Sequence, residues 1–280
     1  MSAEPSVPQV MVNGRLVSAA DAQIPALGPG FQFGHGLFET IRLRGGRPVF
    51  LQRHLARLVA GLDRIGLDWP NREELTERLQ DVIAANPASH DVLKLIVFAD
   101  ANGPGELIHT RVSRYRPEDY QRGFRLHTVT AAPPPPLVAG LKVLAFLPWR
   151  LAQEAARQAG TDEALLVGAD GELYEGSISN VYIVRDGMVL TPPRSSGILP
   201  GIIREVLMEQ SEPPVREERL FRDDLTQADE VFVTNSILGV MPVSAWESQA
   251  WPGASGPITA RLREAIAEAE LQDLSRAPGL

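Results

Sequence analysis

The amino-acid sequence predicts an α+β fold in two domains, on three observations. At 280 residues the chain is long enough to bury two modest cores. Its first part alternates β-hairpin signals with two amphipathic helical runs, and its second part is rich in short apolar strands broken by Gly-containing turns. Between them lies a polar stretch, RPEDYQRG at 116 to 123, with the composition of an interdomain connection. The expected division is a small N-terminal α/β domain over 1–117, a linker over 118–123 and a larger C-terminal domain over 124–280.

The elements follow in chain order. VMVNGRLV, 10 to 17, places Asn13-Gly14 between two β-rich runs, the pair that accepts positive φ in a type I′ hairpin. LFETIRLRGGRPVFL, 37 to 51, turns in the same way at Gly45-Gly46. Leu55, Leu58, Val59, Leu62 and Ile65 then recur at helical spacing, with Pro70 as the stop before a second helix in REELTERLQDVIAA. HDVLKLIVFAD and LIHTRVSRY read as strands, and the prolines at 133 to 136 stiffen a loop. A helix near 149–159, the strand EALLVG, and a hairpin in NVYIVRDGMVL turning at Asp186-Gly187 come next. Helices are expected near 201–210, 223–228 and 257–272.

Composition excludes several functions. Thirty-five acidic residues against 27 basic give a net charge of −8 with no basic run, which argues against a nucleic-acid partner. The absence of cysteine removes disulfides, thiolate metal sites and Cys nucleophiles. The five histidines lack HExxH or H-x-H spacing, so no metal site is expected. No apolar run approaches about 18 residues and the N-terminus lacks a signal-peptide pattern, so the expectation is a cytoplasmic protein with no membrane partner.

The chain writes nearly every positive charge as arginine: of its 27 basic residues only Lys94 and Lys142 are lysines. Lys142 stands in an apolar run, AGLKVLAFL, where desolvation disfavours ammonium, and a neutral amine is what adds to a carbonyl to make a Schiff base. Glu175, in LYEGSISN, sits where the chain turns; a carboxylate facing a pyridine nitrogen keeps that ring an electron sink. Pro200-Gly201 directly precede an amphipathic helix, leaving the Ile202 and Ile203 amides unpaired at its positive end. Thr234-Asn235-Ser236 end a strand, and Arg57 lies on the first helix. Each feature alone has an ordinary explanation: a strand-edge lysine, a solvated turn acid, a capped helix start, a simple turn, a solvated arginine.

Together, FGHGLFETIR, HLARL, the isolated Lys142, EGSISN, LPGIIR, TNS and MPV stand in an order and spacing that resembles the class IV (fold type IV) pyridoxal-phosphate enzymes. That family includes branched-chain aminotransferases, D-amino acid aminotransferases and 4-amino-4-deoxychorismate lyases, and the resemblance runs from about Val10 to Val243. It implies a fold-type-IV homodimer acting on a small molecule, with pyridoxal 5′-phosphate (PLP) on Lys142. It further implies Glu175 at the pyridine nitrogen, Arg57 and the Ile202 and Ile203 amides at the phosphate, and Leu199 near the ring. Ser179, Asn180, Gly201, Thr234 and Ser236 complete the cofactor set it implies, and Phe33, Phe38, Thr40, Arg42 and Ile237 the substrate set.

Within the family, Thr40 in FETIR, AGLK and TNSILGVMPV look like the lyases, so the implied reaction is cleavage of 4-amino-4-deoxychorismate to 4-aminobenzoate and pyruvate for folate synthesis. An aminotransferase acting on branched-chain or other aliphatic amino acids, and less so on D-amino acids, is the alternative. Some lyases carry Ser-Arg-Gly where this chain has Ala99 and Asp100. Another cation must then hold a substrate carboxylate; strand alternation puts Arg42 on the face of Phe38 and Thr40, and Arg111 and Arg114 are further candidates. Ala145 breaks the common K-x-x-N, and Phe146 replaces a tyrosine that some members offer to the cofactor.

Overall fold

A computed structural model describes residues 7–69 and 72–276. The chain divides into two compact units, Met1–Arg114 with Lys142–Ala145 and Gln272–Leu280, and Tyr115–Leu141 with Phe146–Leu271. The units are therefore not contiguous stretches of sequence. The stretch expected as a linker is a helix inside the second unit, and Pro70 lies outside the described residues.

The first unit contains β1 (Gln9–Val12), β2 (Arg15–Ser18), α1 (Pro29–Phe33), β3 (Gly36–Arg44), β4 (Arg47–Pro48), α2 (Leu51–Arg64), α3 (Leu75–Ala84), β5 (Val92–Asp100) and β6 (Gly103–Arg111). Asn13 and Gly14 have φ of 49° and 78°, and Gly45 and Gly46 of 57° and 74°, so both hairpin turns form as their residues require. The strands make one sheet in the order β2-β1-β6-β5-β3-β4. Alternation along β3 sends Leu37, Glu39, Ile41 and Leu43 to one face; α2 and α3 cover that face with Leu58, Leu62, Leu79 and Val82, all buried. The opposite face carries Phe38, Thr40 and Arg42, in register with Ile96, Lys94 and Val92 on β5 and, beyond them, Leu107, His109 and Arg111 on β6. Because β6 ends at Arg111, Arg114 lies beyond the strand that LIHTRVSRY was expected to form.

The second unit contains α4 (Pro117–Arg122), β7 (Phe124–Thr130), α5 (Leu147–Gln158), β8 (Glu163–Val167), β9 (Leu173–Gly176), β10 (Asn180–Arg185), β11 (Met188–Thr191), α6 (Ile202–Gln210), β12 (Val215–Glu217), α7 (Arg222–Thr226), β13 (Glu230–Asn235), β14 (Gly239–Trp246), β15 (Gln249–Ala250) and α8 (Pro257–Arg276). The last turn of α8 belongs to the first unit, where the Asp273 carboxylate accepts a 2.7 Å hydrogen bond from the Phe50 amide. The sheet runs β12-β11-β10-β13-β14-β7-β8-β9, with β15 beside β14 and with parallel pairs at β11/β12, β14/β7 and β7/β8. One core gathers Phe124, Leu165, Val181, Ile183, Val233, Met241 and Trp246, and a second packs Ala152 and Ala156 of α5 on Ala164 and Leu166 of β8. Glu175, expected just after a strand, lies inside β9.

Candidate active site

In the first unit, Lys142 is held by backbone pairing. The Phe38 amide donates to the Lys142 carbonyl at 3.0 Å, the Leu144 amide donates to the Gly36 carbonyl at 2.9 Å, and Val143 bridges Leu37 antiparallel. Residues 142–144 thus lie along the edge of β3, beside its N-terminal half. Gly36 makes that approach possible, since a Cβ there would stand 2.7 Å from the Leu144 side chain and 2.5 Å from the Val97 carbonyl. Gly34, at φ 66°, likewise has the Ala145 backbone 2.7 Å from where its Cβ would be.

Both lysines of the chain meet at one ring. Lys142 Nζ lies 4.7 Å and Lys94 Nζ 4.4 Å from the Phe38 centroid, within the range of cation–π attraction. Lys94 is paired across strands with Thr40 and with His109. Burial, with the nearby Arg111 charge, pushes the Lys94 amine below its ordinary value, and burial with the Lys94 charge does the same to His109. Arg42, Lys94, His109 and Arg111 therefore share one sheet face with Phe38 and Thr40. The sequence reading named Arg42, Arg111, Phe38 and Thr40; it missed Lys94 and His109, whose place depends on the β5/β6 register. Phe33 is at the end of α1 with 72% of its surface exposed.

Arg57 is anchored on the other face. Its Nε and Nη2 donate to the two oxygens of Glu39 at 2.8 and 2.6 Å, and His54 Nδ1 lies 2.7 Å from Glu39 Oε2. Burial alone would raise the Glu39 pKa, but the charges of Arg57 and His54 and their hydrogen bonds outweigh it and bring the value down from 4.5 to about 2. Folding thus favours the carboxylate. The stabilisation is fully present above the unfolded value of 4.5 and is lost as pH falls through about 2. Urea unfolding of the parent and of Glu39→Gln is expected to show the parent more stable near neutrality, with the gap closing toward about pH 2. A gap independent of pH would contradict this account.

In the second unit, side chains clamp the loop before α6. The Leu199 amide donates to Glu175 Oε2 at 3.0 Å, and Asn180 Nδ2 donates to the Leu199 carbonyl at 2.9 Å. Glu175 and Asn180 are both buried. Gly201 caps α6 with extended backbone and no side chain caps the helix, so the amides of Ile202 and Ile203 open its first turn. A Cβ on Gly201 would collide with the Asn180 side-chain Oδ1, so a side chain there would displace the amide that holds Leu199. Thr234, buried in β13, hydrogen-bonds Tyr182 at 3.3 Å. Ser236 and Ile237 lie in the following turn, where Asn235 Oδ1 accepts from the Ile237 amide at 2.9 Å and the Leu238 amide at 2.7 Å.

The sequence model of the family described as "Amino-transferase class IV" matches residues 36–246. The chain belongs to the class IV aminotransferase family. Among curated relatives this class IV enzyme is similar to the D-alanine aminotransferase of Bacillus licheniformis, at 30% identity over 96% of this chain and 99% of that protein. Among solved structures it is similar to a branched-chain aminotransferase of Thermoproteus uzoniensis, at 27% identity and a TM-score of 0.85 over 95% of each chain. It is also similar to the 4-amino-4-deoxychorismate lyase of Pseudomonas aeruginosa, at 31% identity and 0.79 over 92% of this chain and 98% of that one. The two-unit α+β architecture is the fold-type-IV one, and class IV enzymes depend on PLP.

The residues present fit that cofactor. Ser179 Oγ is buried with no partner among the described residues, an orphaned hydroxyl that a polar ligand would satisfy. The α6 amides carry no side-chain cap, as an anion site requires. An amine at Lys142 and a buried carboxylate at Glu175 are the two side chains that PLP chemistry asks of a protein.

Proposed function

We propose that this class IV enzyme is a PLP-dependent lyase that converts 4-amino-4-deoxychorismate to 4-aminobenzoate and pyruvate, acting as a cytoplasmic homodimer in folate synthesis. The observation that carries the reading is Lys94, a cation 4.4 Å from the ring that Lys142 also touches, on a sheet face shared with Arg42 and Arg111. The substrate bears two carboxylates, and an aliphatic amino acid bears one. Loss of the Ser-Arg-Gly arginine at Ala99 and Asp100 is offset on this face by Lys94, nearer the start of the same strand.

Bound PLP supplies the electron sink for the reaction. Lys142 would hold it and, once displaced by the substrate amine, take the proton from the substrate carbon that bears nitrogen. Glu175 keeps a proton at the pyridine nitrogen. Arg57, the Ile202 and Ile203 amides, Ser236 and Thr234 would hold the phosphate, and Leu199, Ser179, Asn180 and Gly201 would shape the surroundings of the cofactor. Arg42 and Lys94 bind carboxylates, and Phe38, Thr40, Phe33 and Ile237 contact the rest of the substrate. The bond between the ring carbon and the enolpyruvyl oxygen would then break with its electron pair on oxygen; the departing enolpyruvate would take up a proton to become pyruvate, and the six-membered ring would become aromatic, which drives the step.

The test is product analysis of the purified protein with PLP. Release of 4-aminobenzoate from 4-amino-4-deoxychorismate supports the lyase; glutamate formed from 2-oxoglutarate with D-alanine or L-leucine, and no 4-aminobenzoate, would replace it by the transaminase. Two things favour that second reading: relatives named D-alanine aminotransferase, and the apolar Phe38, Ile96 and Leu107 on the same face. Lys94→Met separates the two further. Losing a charge-assisted hydrogen bond costs about 2 kcal/mol, or roughly thirtyfold, so KM for the dicarboxylate is expected to rise by that factor with kcat little changed. An unaltered KM would remove Lys94 from the substrate site.

A further inference from the structure

The Glu39–His54–Arg57 assembly is an expensive thing to bury. Glu39 and His54 are each 1% exposed at the side chain, in the seam where α2 packs on the sheet, and apolar neighbours Leu37, Ile41, Leu58 and Leu62 show what would otherwise fill it. Buried ion pairs are commonly no more stabilising than apolar residues of the same volume. The imidazole adds to the cost: burial pushes its pKa down against the opposing pull of Glu39. Its Nδ1 donates to the carboxylate, and its Nε2 is buried with no partner among the described residues. Stability does not explain this arrangement.

Its geometry does. Exposure rises outward along the assembly, from 1% at His54 and Glu39 to 14% at Arg57, so a buried anchor presents one guanidinium at the edge. Two parallel bonds from Nε and Nη2 to a single carboxylate fix the guanidinium plane as one bond cannot, removing rotamer freedom that an arginine otherwise loses on binding its ligand. The His54 bond to Oε2 stops the carboxylate from turning about its own axis. We propose that Glu39, braced by His54, is a positioning residue that pre-orients Arg57 toward the cofactor's phosphate. The inference rests on the reading of Arg57 as a phosphate ligand and adds that its orientation is set by Glu39 of β3.

The test compares cofactor-free full-length parent, Glu39→Gln, Glu39→Asp, Arg57→Ala and the Glu39→Gln/Arg57→Ala double variant. For each, dissociation constants are measured for PLP and for pyridoxal, which lacks the phosphate. Glu39→Gln is expected to weaken PLP by roughly tenfold to a hundredfold, the scale on which outer partners act on ligating groups. Pyridoxal binding should stay unchanged, and the double variant should be no weaker than Arg57→Ala. Glu39→Asp, which keeps the charge, should recover part of the loss, and it carries the same PLP-against-pyridoxal comparison should the glutamine variant not fold. Equal losses for both ligands would mean general damage and overturn the proposal. So would tighter PLP binding in Glu39→Gln, because the carboxylate would then only be neutralising Arg57. PLP affinity lost in Arg57→Ala but kept in Glu39→Gln would overturn the positioning role alone; affinity kept in both would overturn the reading of Arg57 itself.

Discussion

Lys142→Ala is expected to bring turnover to background, a loss of at least about 10⁴-fold, since a covalent anchor and a general base go together. The visible absorbance of the lysine-bound cofactor should vanish with it, while PLP still binds through its phosphate and remains measurable by equilibrium dialysis. The chain makes this a sharper experiment than usual. Its other lysine, Lys94, stands at 4.4 Å from the same Phe38 ring that Lys142 approaches to 4.7 Å, so proximity alone does not say which amine carries the cofactor. Two features choose Lys142. Its carbonyl and the Leu144 amide two residues on are pinned by the Phe38 and Gly36 hydrogen bonds, and Arg111 and His109 crowd Lys94 from the neighbouring strand. Accordingly Lys94→Met should keep the absorbance and Lys142→Ala should lose it. Full activity in Lys142→Ala would sink the assignment, and loss of absorbance in Lys94→Met only would transfer it to Lys94.

What the sequence made legible was whatever is local. The turns at Asn13-Gly14, Gly45-Gly46 and Asp186-Gly187 follow from residues that tolerate positive φ, and each adopts it. α5 and α6 follow from helical spacing of apolar residues within two residues of their expected limits, and α2 forms around the expected run of Leu55, Leu58, Val59 and Leu62. The polar stretch at 116–123 was read by composition, which concealed its helix signal: Pro117 at the first helical position, with Asp119 accepting a 2.9 Å bond from the Arg116 amide. The parallel pair of β14 and β7 joins segments more than a hundred residues apart, and β8 extends the same sheet beyond β7; no local pattern encodes either pairing. The same holds for the site. Lys142 and Glu175 stood out by residue type, whereas Lys94 needed the register of three strands. Glu39 did leave a mark: in Leu37, Glu39, Ile41, Leu43 an acid interrupts a core-facing alternation, and His54 and Arg57, three apart on the next helix, are the groups that meet it.

Glu175→Gln is expected to separate cofactor binding from catalysis. The Glu175 carboxylate has two tasks: it accepts the Leu199 amide at 3.0 Å, which with the Asn180 bond fixes the loop leading into α6, and in the proposed mechanism it holds a proton on the pyridine nitrogen. A glutamine keeps the first task, since its carbonyl oxygen accepts the same bond, and loses the second, because a neutral amide does not stabilise a pyridinium. PLP affinity should therefore stay within a few-fold of the parent while kcat falls by a hundredfold or more, roughly the scale for removing one group that acts only on developing charge. Glu175→Ala loses both tasks and should show the same fall in kcat together with weaker PLP binding, as the Leu199 loop and the helix-start amides beyond it come loose. A glutamine variant with parental kcat would mean that the carboxylate serves the loop alone, and the electron sink would need another proton donor.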